Sequence, residues 1–198
     1  PTKKVVGEHK FVSIATSSAT TCAIDTDKRI WCWGSNSFGE VGVGEQVDRV
    51  LTPTRAATDL AFVSISGGDG FCALTQEGDS WCWGTSGFSE PTLTSLPKLG
   101  NITVGRYASF ADYCGVALDG STWCGEGAGA YRLWGADVAP MSEVTFSSSH
   151  FCAVGRDQHA WCSGSNHKGQ LGTGESLGVE RSEPAQVAGD VTFAKPDP

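Results

Sequence analysis

The side chains with the most chemistry in them are eight cysteines, which fall into the pairs Cys22/Cys32, Cys72/Cys82, Cys114/Cys124 and Cys152/Cys162, each spaced C-x9-C. Thiols at fixed spacing can ligate zinc, run redox catalysis or close disulfides. The first two chemistries use C-x-x-C or histidines at ligand spacing beside the thiols, and neither pattern occurs here. Repetition of one spacing points instead to four equivalent disulfides, and with them to an oxidising compartment: secreted, periplasmic or cell surface. His9, His150, His159 and His167 follow no recurring spacing. Asp25/Asp27, and Asp69 beside Gly67-Gly68-Gly70, could approach Ca²⁺, but none completes a ligand loop and solvated turns account for them. No G-x-S-x-G, phosphate loop or H-E-x-x-H is present, so the sequence offers no catalytic residue, no metal site and no cofactor. Asn101-Ile-Thr103 forms a glycosylation sequon, relevant only to a eukaryotic source.

The elements that must hold these cysteines are legible around them. TCAIDTDKRIWCWG, FCALTQEGDSWCWG, YCGVALDGSTWCG and FCAVGRDQHAWCSG each place a polar centre between apolar or aromatic flanks, the pattern of a β-hairpin. Nine intervening residues centre each hairpin on one residue (Asp27, Glu77, Asp119 or Asp157), which predicts a three-residue loop. Gly78 and Gly120 fit the left-handed position of such a loop. In that register Cys72 faces Cys82, Ala73 faces Trp81 and Phe71 faces Trp83. Opposed residues on antiparallel strands suit a disulfide, and closing each loop of about eleven residues contributes roughly 2.5–3 kcal/mol on the chain-entropy account.

The chain has 198 residues, enough for one domain with a packed core. Its 26 glycines are about twice the average share, while 39% hydrophobic and 18% charged residues are both low, as suits short strands and tight turns. A formal net charge of -8 opposes binding to nucleic acid or anionic lipid. No run approaches the ~20 apolar residues of a membrane span and no charged-then-apolar leader opens the chain, so membrane insertion is not expected.

A longer unit surrounds each hairpin: an apolar strand, a short turn, the cysteine hairpin, a Gly-rich segment and a Pro-containing return. The opening strands are Phe11–Ile14, Phe62–Ile65, Ile102–Val104 and Val144–Phe146, and first cysteines recur after 50, 42 and 38 residues. That period predicts β-propeller blades of about four strands, one disulfide each, over approximately 5–57, 58–99, 100–140 and 141–187. Val187-Ala-Gly-Asp190 to Phe193 repeats Val5-Val-Gly-Glu8 to Phe11, so 188–198 reads as the start of a further blade or a tail. Five opening strands for four hairpins favour a partial propeller or arc over a closed ring. Open sheet edges then make self-association an expectation.

Phe11-Val-Ser-Ile-Ala15, Cys22-Ala-Ile24, Trp31-Cys-Trp-Gly34, Ser35-Asn36, Gly39-Glu-Val-Gly42 and Gly44 resemble one repeat of the regulator of chromosome condensation type. Cys152-Ala-Val154, Trp161-Cys162, Gly164-Ser-Asn166, Gly169-Gln-Leu-Gly172 and Gly174 are similar again. The resemblance is strong in units one and four, fair in two and weak in three, where Gly125-Glu-Gly-Ala-Gly129 and Tyr131-Arg-Leu-Trp134 replace the Gly-rich segment. It implies a β-propeller, usually of seven blades, in a family that includes chromatin-bound nucleotide exchange factors, light receptors and secreted β-lactamase inhibitors. A cysteine pair in every hairpin departs from that pattern and suggests an exported, bacterial-type branch.

Trp31, Trp33, Trp81, Trp83, Trp123 and Trp161 occupy repeat-equivalent hairpin positions, where blade packing explains them better than a sugar-stacking array. Phe38, Phe88, Tyr107, Tyr131 and Trp134 fall outside those positions, in expected turns or loops, and are the candidate partner anchors. The sequence therefore predicts a secreted or surface module for protein–protein interaction, as an inhibitor or a component of an extracellular assembly. The alternative is a carbohydrate-binding module; nucleotide exchange or chromatin binding is opposed by charge and disulfides.

Overall fold

The structure is a computed structural model that describes residues 4–45, 47–84, 88–107, 111–126, 129–189 and 192–193; the side chains of 106, 107 and 111 fall outside that description. Its described residues form sixteen strands in four antiparallel four-stranded sheets. Blade 1 comprises β1 (Phe11–Thr16), β2 (Thr20–Asp25), β3 (Ile30–Ser35) and β4 (Arg49–Arg55). Blade 2 comprises β5 (Phe62–Gly67), β6 (Phe71–Thr75), β7 (Ser80–Trp83) and β8 (Thr92–Leu93). Blade 3 comprises β9 (Leu99–Tyr107), β10 (Ala111–Ala117), β11 (Thr122–Glu126) and β12 (Gly129–Trp134), and blade 4 β13 (Met141–Phe146), β14 (His150–Gly155), β15 (Ala160–Ser165) and β16 (Glu180–Gln186). Strands follow chain order within every sheet, so each blade is a meander that local hairpins can build without crossovers. Among the described residues no helix is long and apolar enough to cross a membrane.

The cysteine hairpins adopt the expected register. Cys22 pairs with Cys32, Cys72 with Cys82, Cys114 with Cys124 and Cys152 with Cys162, at Cα separations of 4.0–4.2 Å, and all four disulfides are formed. Ala73 faces Trp81 and Phe71 faces Trp83. The left-handed loop position is taken by Gly78 and Gly120 as expected, and by Lys28 (φ 62°) and Gln158 (φ 68°) in the other two hairpins. Local hydrogen bonds hold those two non-glycine turns: Asp25 Oδ1 accepts the Asp27 and Arg29 amides, each at 2.9 Å, and Asp157 Oδ1 accepts the His159 amide at 3.1 Å.

The carbonyl of the same left-handed residue also fixes the next blade. Lys28 O accepts the Phe62 amide, Gly78 O that of Leu99 and Gly120 O that of Met141, each at 2.9 Å. Gln158 O accepts the Phe193 amide at 2.8 Å. Phe193 thus stands where the opening residue of a fifth blade would, although 190, 191 and 194–198 lie outside the described residues.

First strands of successive blades pack side by side, β1 on β5, β5 on β9 and β9 on β13, and the four sheets form an arc that does not close. The core lies between blades. Blade 1 gives Cys22, Ile24, Ile30, Cys32, Val41 and Ala56 to a cluster completed by Phe62, Phe71, Ala73 and Trp83 of blade 2. Smaller clusters around Val104/Tyr113 and Leu99/Ala117 join blades 2 and 3. Blade 3 presents Cys114, Val116, Cys124 and Trp134 to Met141, Val144, Phe151 and Ala153 of blade 4. Each blade therefore has a disulfide-bearing face turned toward its successor and an aromatic face turned toward its predecessor.

Candidate functional site

Two of these junctions differ in a way that makes a site. After β3 the chain runs through 36–48 before β4. Asn36 holds this Gly-rich loop: its Oδ1 accepts the Val41 amide at 2.9 Å and its Nδ2 donates to Glu45 O at 2.9 Å. The loop lies on Trp83 of blade 2, whose Nε1 donates to Glu40 O at 2.9 Å. Gly42, at φ +74°, is pressed so closely that a Cβ there would come within 3.0 Å of the Trp83 ring. The junction is sealed, and Trp83 is fully buried.

Blade 3 has no such loop, because β12 begins at Gly129 immediately after β11 ends at Glu126. Ser163 of blade 4 occupies the register position of Trp83, opposite Phe151 as Trp83 is opposite Phe71. Cover and plug are both missing, and a cleft of about 680 Å³ opens between β12 and the outer part of blade 4. Tyr131, Leu133 and Phe151 give it apolar walls; Ser163, Glu180, Arg181 and Ser182 give it a polar side. An ion pair between Arg181 and Glu175 steadies that side. The hydrogen bond from Arg181 holds the Glu175 carboxyl below its usual range and raises the guanidinium above its own. An apolar slot of this size with a few convergent polar groups takes one large side chain or a small ligand.

At the junction of blades 2 and 3 the gap is filled differently. Gly125 stands at the Trp83 position, and the Tyr113 ring lies so close that a Cβ on Gly125 would meet it at 2.4 Å. Burial, with the Asp112 charge adding to it, pushes the Tyr113 phenol up to about 12.

The anchors expected from sequence are dispersed over these junctions. Phe38 is 75% exposed on the loop after β3, where its amide donates to Glu40 Oε2 at 2.8 Å. Phe88 is half-buried beside the same loop. Tyr107 ends β9, and its side chain lies outside the described residues. Tyr131 is 38% exposed at the cleft. Trp134 is 3% exposed and belongs to the core between blades 3 and 4, so it offers no surface to a partner. The expectation of turns or loops is corrected for Tyr107, which ends strand β9, and for Tyr131 and Trp134, both in strand β12: a meander needs a fourth strand, and this segment pairs with β11 once the Gly-rich loop is gone. The repeat tryptophans are buried or half-buried in the blades.

Leu133, Phe151, Ser163, Glu180 and Arg181 escaped sequence reasoning. Their signal was the coincidence of a missing loop in unit three with Trp-Cys-Ser in place of Trp-Cys-Trp in unit four. Elsewhere, Ser147 Oγ lies 2.8 Å from His150 Nδ1 in a nucleophile–base geometry. That contact closes the turn between β13 and β14, where Ser17 and Thr20 make the same backbone bond, and among the described residues no carboxylate orients the imidazole. No group of three His, Cys, Asp or Glu among the described residues is placed to hold a metal ion.

The same architecture occurs in known proteins. Human WBSCR16 superimposes with a TM-score of 0.78 at 15% identity, over 98% of this chain and 57% of that one. Yeast RCC1 (Prp20), in its structure bound to Kap60, gives 0.73 at 16% identity over 94% of this chain and 50% of that one. The ectodomain of the Physcomitrella patens receptor kinase CR4 gives 0.56 at 20% identity over 87% and 47%. The chain thus spans about half the length of the structures it matches. No curated protein sequence matches it. Two models of the regulator of chromosome condensation (RCC1) repeat match residues 11–40 and 27–75, and the later blades repeat the same strand order and hairpin register. Residues 11–75 thus match the RCC1 repeat, and the whole chain has the fold of RCC1-type propeller blades.

Proposed function

We propose that this chain is a secreted or cell-surface propeller module that binds a protein partner, and that the cleft between blades 3 and 4 receives a large apolar side chain of that partner. The observation carrying the reading is the double loss at this junction, loop and tryptophan together, which leaves Tyr131, Leu133 and Phe151 lining an open slot. Aromatic and aliphatic walls bury an apolar anchor, and Ser163, Glu180 and Arg181 fix its backbone by hydrogen bonds. Four disulfides support an oxidising compartment. Yeast RCC1 (Prp20), which shares this scaffold, was crystallised bound to another protein, Kap60.

The test compares native protein with Ser163→Trp, which restores the missing plug. Binding to a protein of the source's extracellular fraction is expected to weaken at least about tenfold in the variant, the scale of one lost apolar anchor, with four disulfides retained in the non-reducing mass. Equal binding by both proteins would remove the cleft from the reading. Occupancy on a glycan array, abolished by Ser163→Trp, would instead establish the carbohydrate alternative.

A further inference from the structure

The cleft between blades 3 and 4 has two lips, and each carries an exposed carboxylate. On the blade 4 lip, Glu180 pairs with Ser165 in the β15–β16 register and lines the cleft directly. On the blade 3 lip, Glu126 ends β11 two residues beyond Cys124. Cys124 pairs with Tyr131 of the cleft wall, and alternate strand residues share a face, so Glu126 lies on the face turned toward blade 4. Among the described residues neither carboxylate has a hydrogen bond or an ion pair.

The cations nearby are already engaged. Among the described lining residues Arg181 is the one cation, and it gives both its Nε–H and a terminal N–H to Glu175. Arg132, next to Tyr131 in β12, pairs with Trp123 and so faces away from the cleft, where its charge acts on Asp119. The slot therefore presents Glu126, Glu175 and Glu180 against a single guanidinium. The blade itself does not require this charge. Glu180 holds the position that Arg49 holds in blade 1, where Ser35 is the register partner. At the sealed junction the loop residue Glu40 is buried, and its Oε2 accepts the Phe38 amide. Carboxylates left unpaired on both lips of an apolar slot add repulsion to the free chain and no bond.

We propose that the partner segment received by the cleft is basic: one large apolar residue flanked on both sides by lysine or arginine. The apolar side chain rests on Tyr131, Leu133 and Phe151, and the flanking cations meet Glu126 and Glu180. This rests on the cleft reading and names the chemistry of its occupant. In an extended segment the neighbours of an inserted side chain point out of the slot, and long lysine or arginine stems reach back to the lips. The formal net charge of -8 adds a longer-range attraction that speeds encounter and weakens with salt.

The experiment titrates the intact, oxidised chain with three capped heptapeptides: Gly-Ser-Lys-Trp-Lys-Ser-Gly, its Glu-Trp-Glu counterpart and its Lys-Ala-Lys counterpart. At low salt the Lys-Trp-Lys peptide is expected to bind at least about tenfold tighter than Glu-Trp-Glu. That ratio should collapse at about 1 M salt, where the screening length falls to about 3 Å. The Lys-Ala-Lys peptide should lose the binding that the indole provides. Glu126→Gln/Glu180→Gln alters two exposed side chains, so it should keep four disulfides while reducing the preference to about twofold or less. Equal binding of the Lys-Trp-Lys and Glu-Trp-Glu peptides, or a preference that the double variant retains in full, would overturn the basic partner and leave the cleft standing. Binding untouched by Ser163→Trp, or equal binding of Lys-Ala-Lys and Lys-Trp-Lys, would overturn the cleft reading and this inference with it. No binding of Lys-Trp-Lys would overturn the inference as well.

Discussion

The junction of blades 1 and 2 and that of blades 3 and 4 are built on the same hairpins, yet one is sealed and the other open. Both bring a buried disulfide face against an aromatic one, and both include a phenylalanine at the same register position, Phe71 or Phe151. They differ in two places. A loop held by Asn36 covers Trp83 in the first; in the second the loop is absent and Ser163 replaces the indole. The lesson is that a repeat can open a cleft by subtraction. The strands and staples carry the fold, so the cover can be removed without unfolding the blade.

The largest expected effect is at the seal itself. Trp83→Ala removes a fully buried indole and its hydrogen bond to Glu40 O, and should cost about 3–5 kcal/mol, measured by chemical denaturation. A loss under about 1 kcal/mol would mean that the sealed junction is no tighter than the open one. The disulfides should ignore the difference between junctions. Cys22→Ser/Cys32→Ser and Cys114→Ser/Cys124→Ser open loops of equal length, one at each junction, so each pair should cost about 2.5–3 kcal/mol. A clear inequality between them, in the same denaturation assay, would show that the junctions strain or support the staples.

A smaller effect separates the two covering loops. Asn36→Ala leaves the Val41 amide without its acceptor and frees the cover of Trp83, and should cost about 1–3 kcal/mol. Asn166→Ala breaks the equivalent bond in blade 4, where no tryptophan of the described residues donates to the loop as Trp83 donates to Glu40 O. Its cost should therefore be the smaller of the two, and equal losses would count against a covering role for the Asn36 loop.

The smallest effect probes the middle junction, where Tyr113 fills the gap. Its phenol is raised from 10.0 to about 12 because burial disfavours the charged form. A raised folded-state value gives stability that is complete below pH 10 and is lost as pH rises from there toward 12. Tyr113→Phe should flatten the stability profile between pH 10 and about 12, and an unchanged slope would show that the ring ionises as freely as in the unfolded chain.

Much of this was legible in the sequence. Equal C-x9-C spacing fixed the register, the pairing Cys72/Cys82 and the contacts of Ala73 and Phe71, because a hairpin with an odd loop has one symmetric alignment. The left-handed turns at Lys28 and Gln158 were not legible, since their conformation is held by local hydrogen bonds to the Asp25 and Asp157 carboxylates rather than by a glycine. Trp134 looked like a loop residue because the Gly-rich segment preceding it broke the repeat; the fourth strand forms anyway, as the edge of β11 demands a partner. The cleft was hardest to see. No residue in it has an unusual type, and it exists only because two things present elsewhere are missing at one place.

The carbonyls of Lys28, Gly78, Gly120 and Gln158 connect each hairpin tip to the opening residue of the next unit through main-chain atoms alone. Such a joint reads no side chain of the unit it receives, but it does read the left-handed turn that supplies it: a Cβ on Gly78 would stand 2.7 Å from the Leu99 carbonyl oxygen. Units joined this way can differ in loop length while remaining in line, as unit three does where β12 follows directly on β11. Tandem growth by copying whole units needs no new interface to be invented: the added unit arrives with its acceptor at one end and its donor at the other.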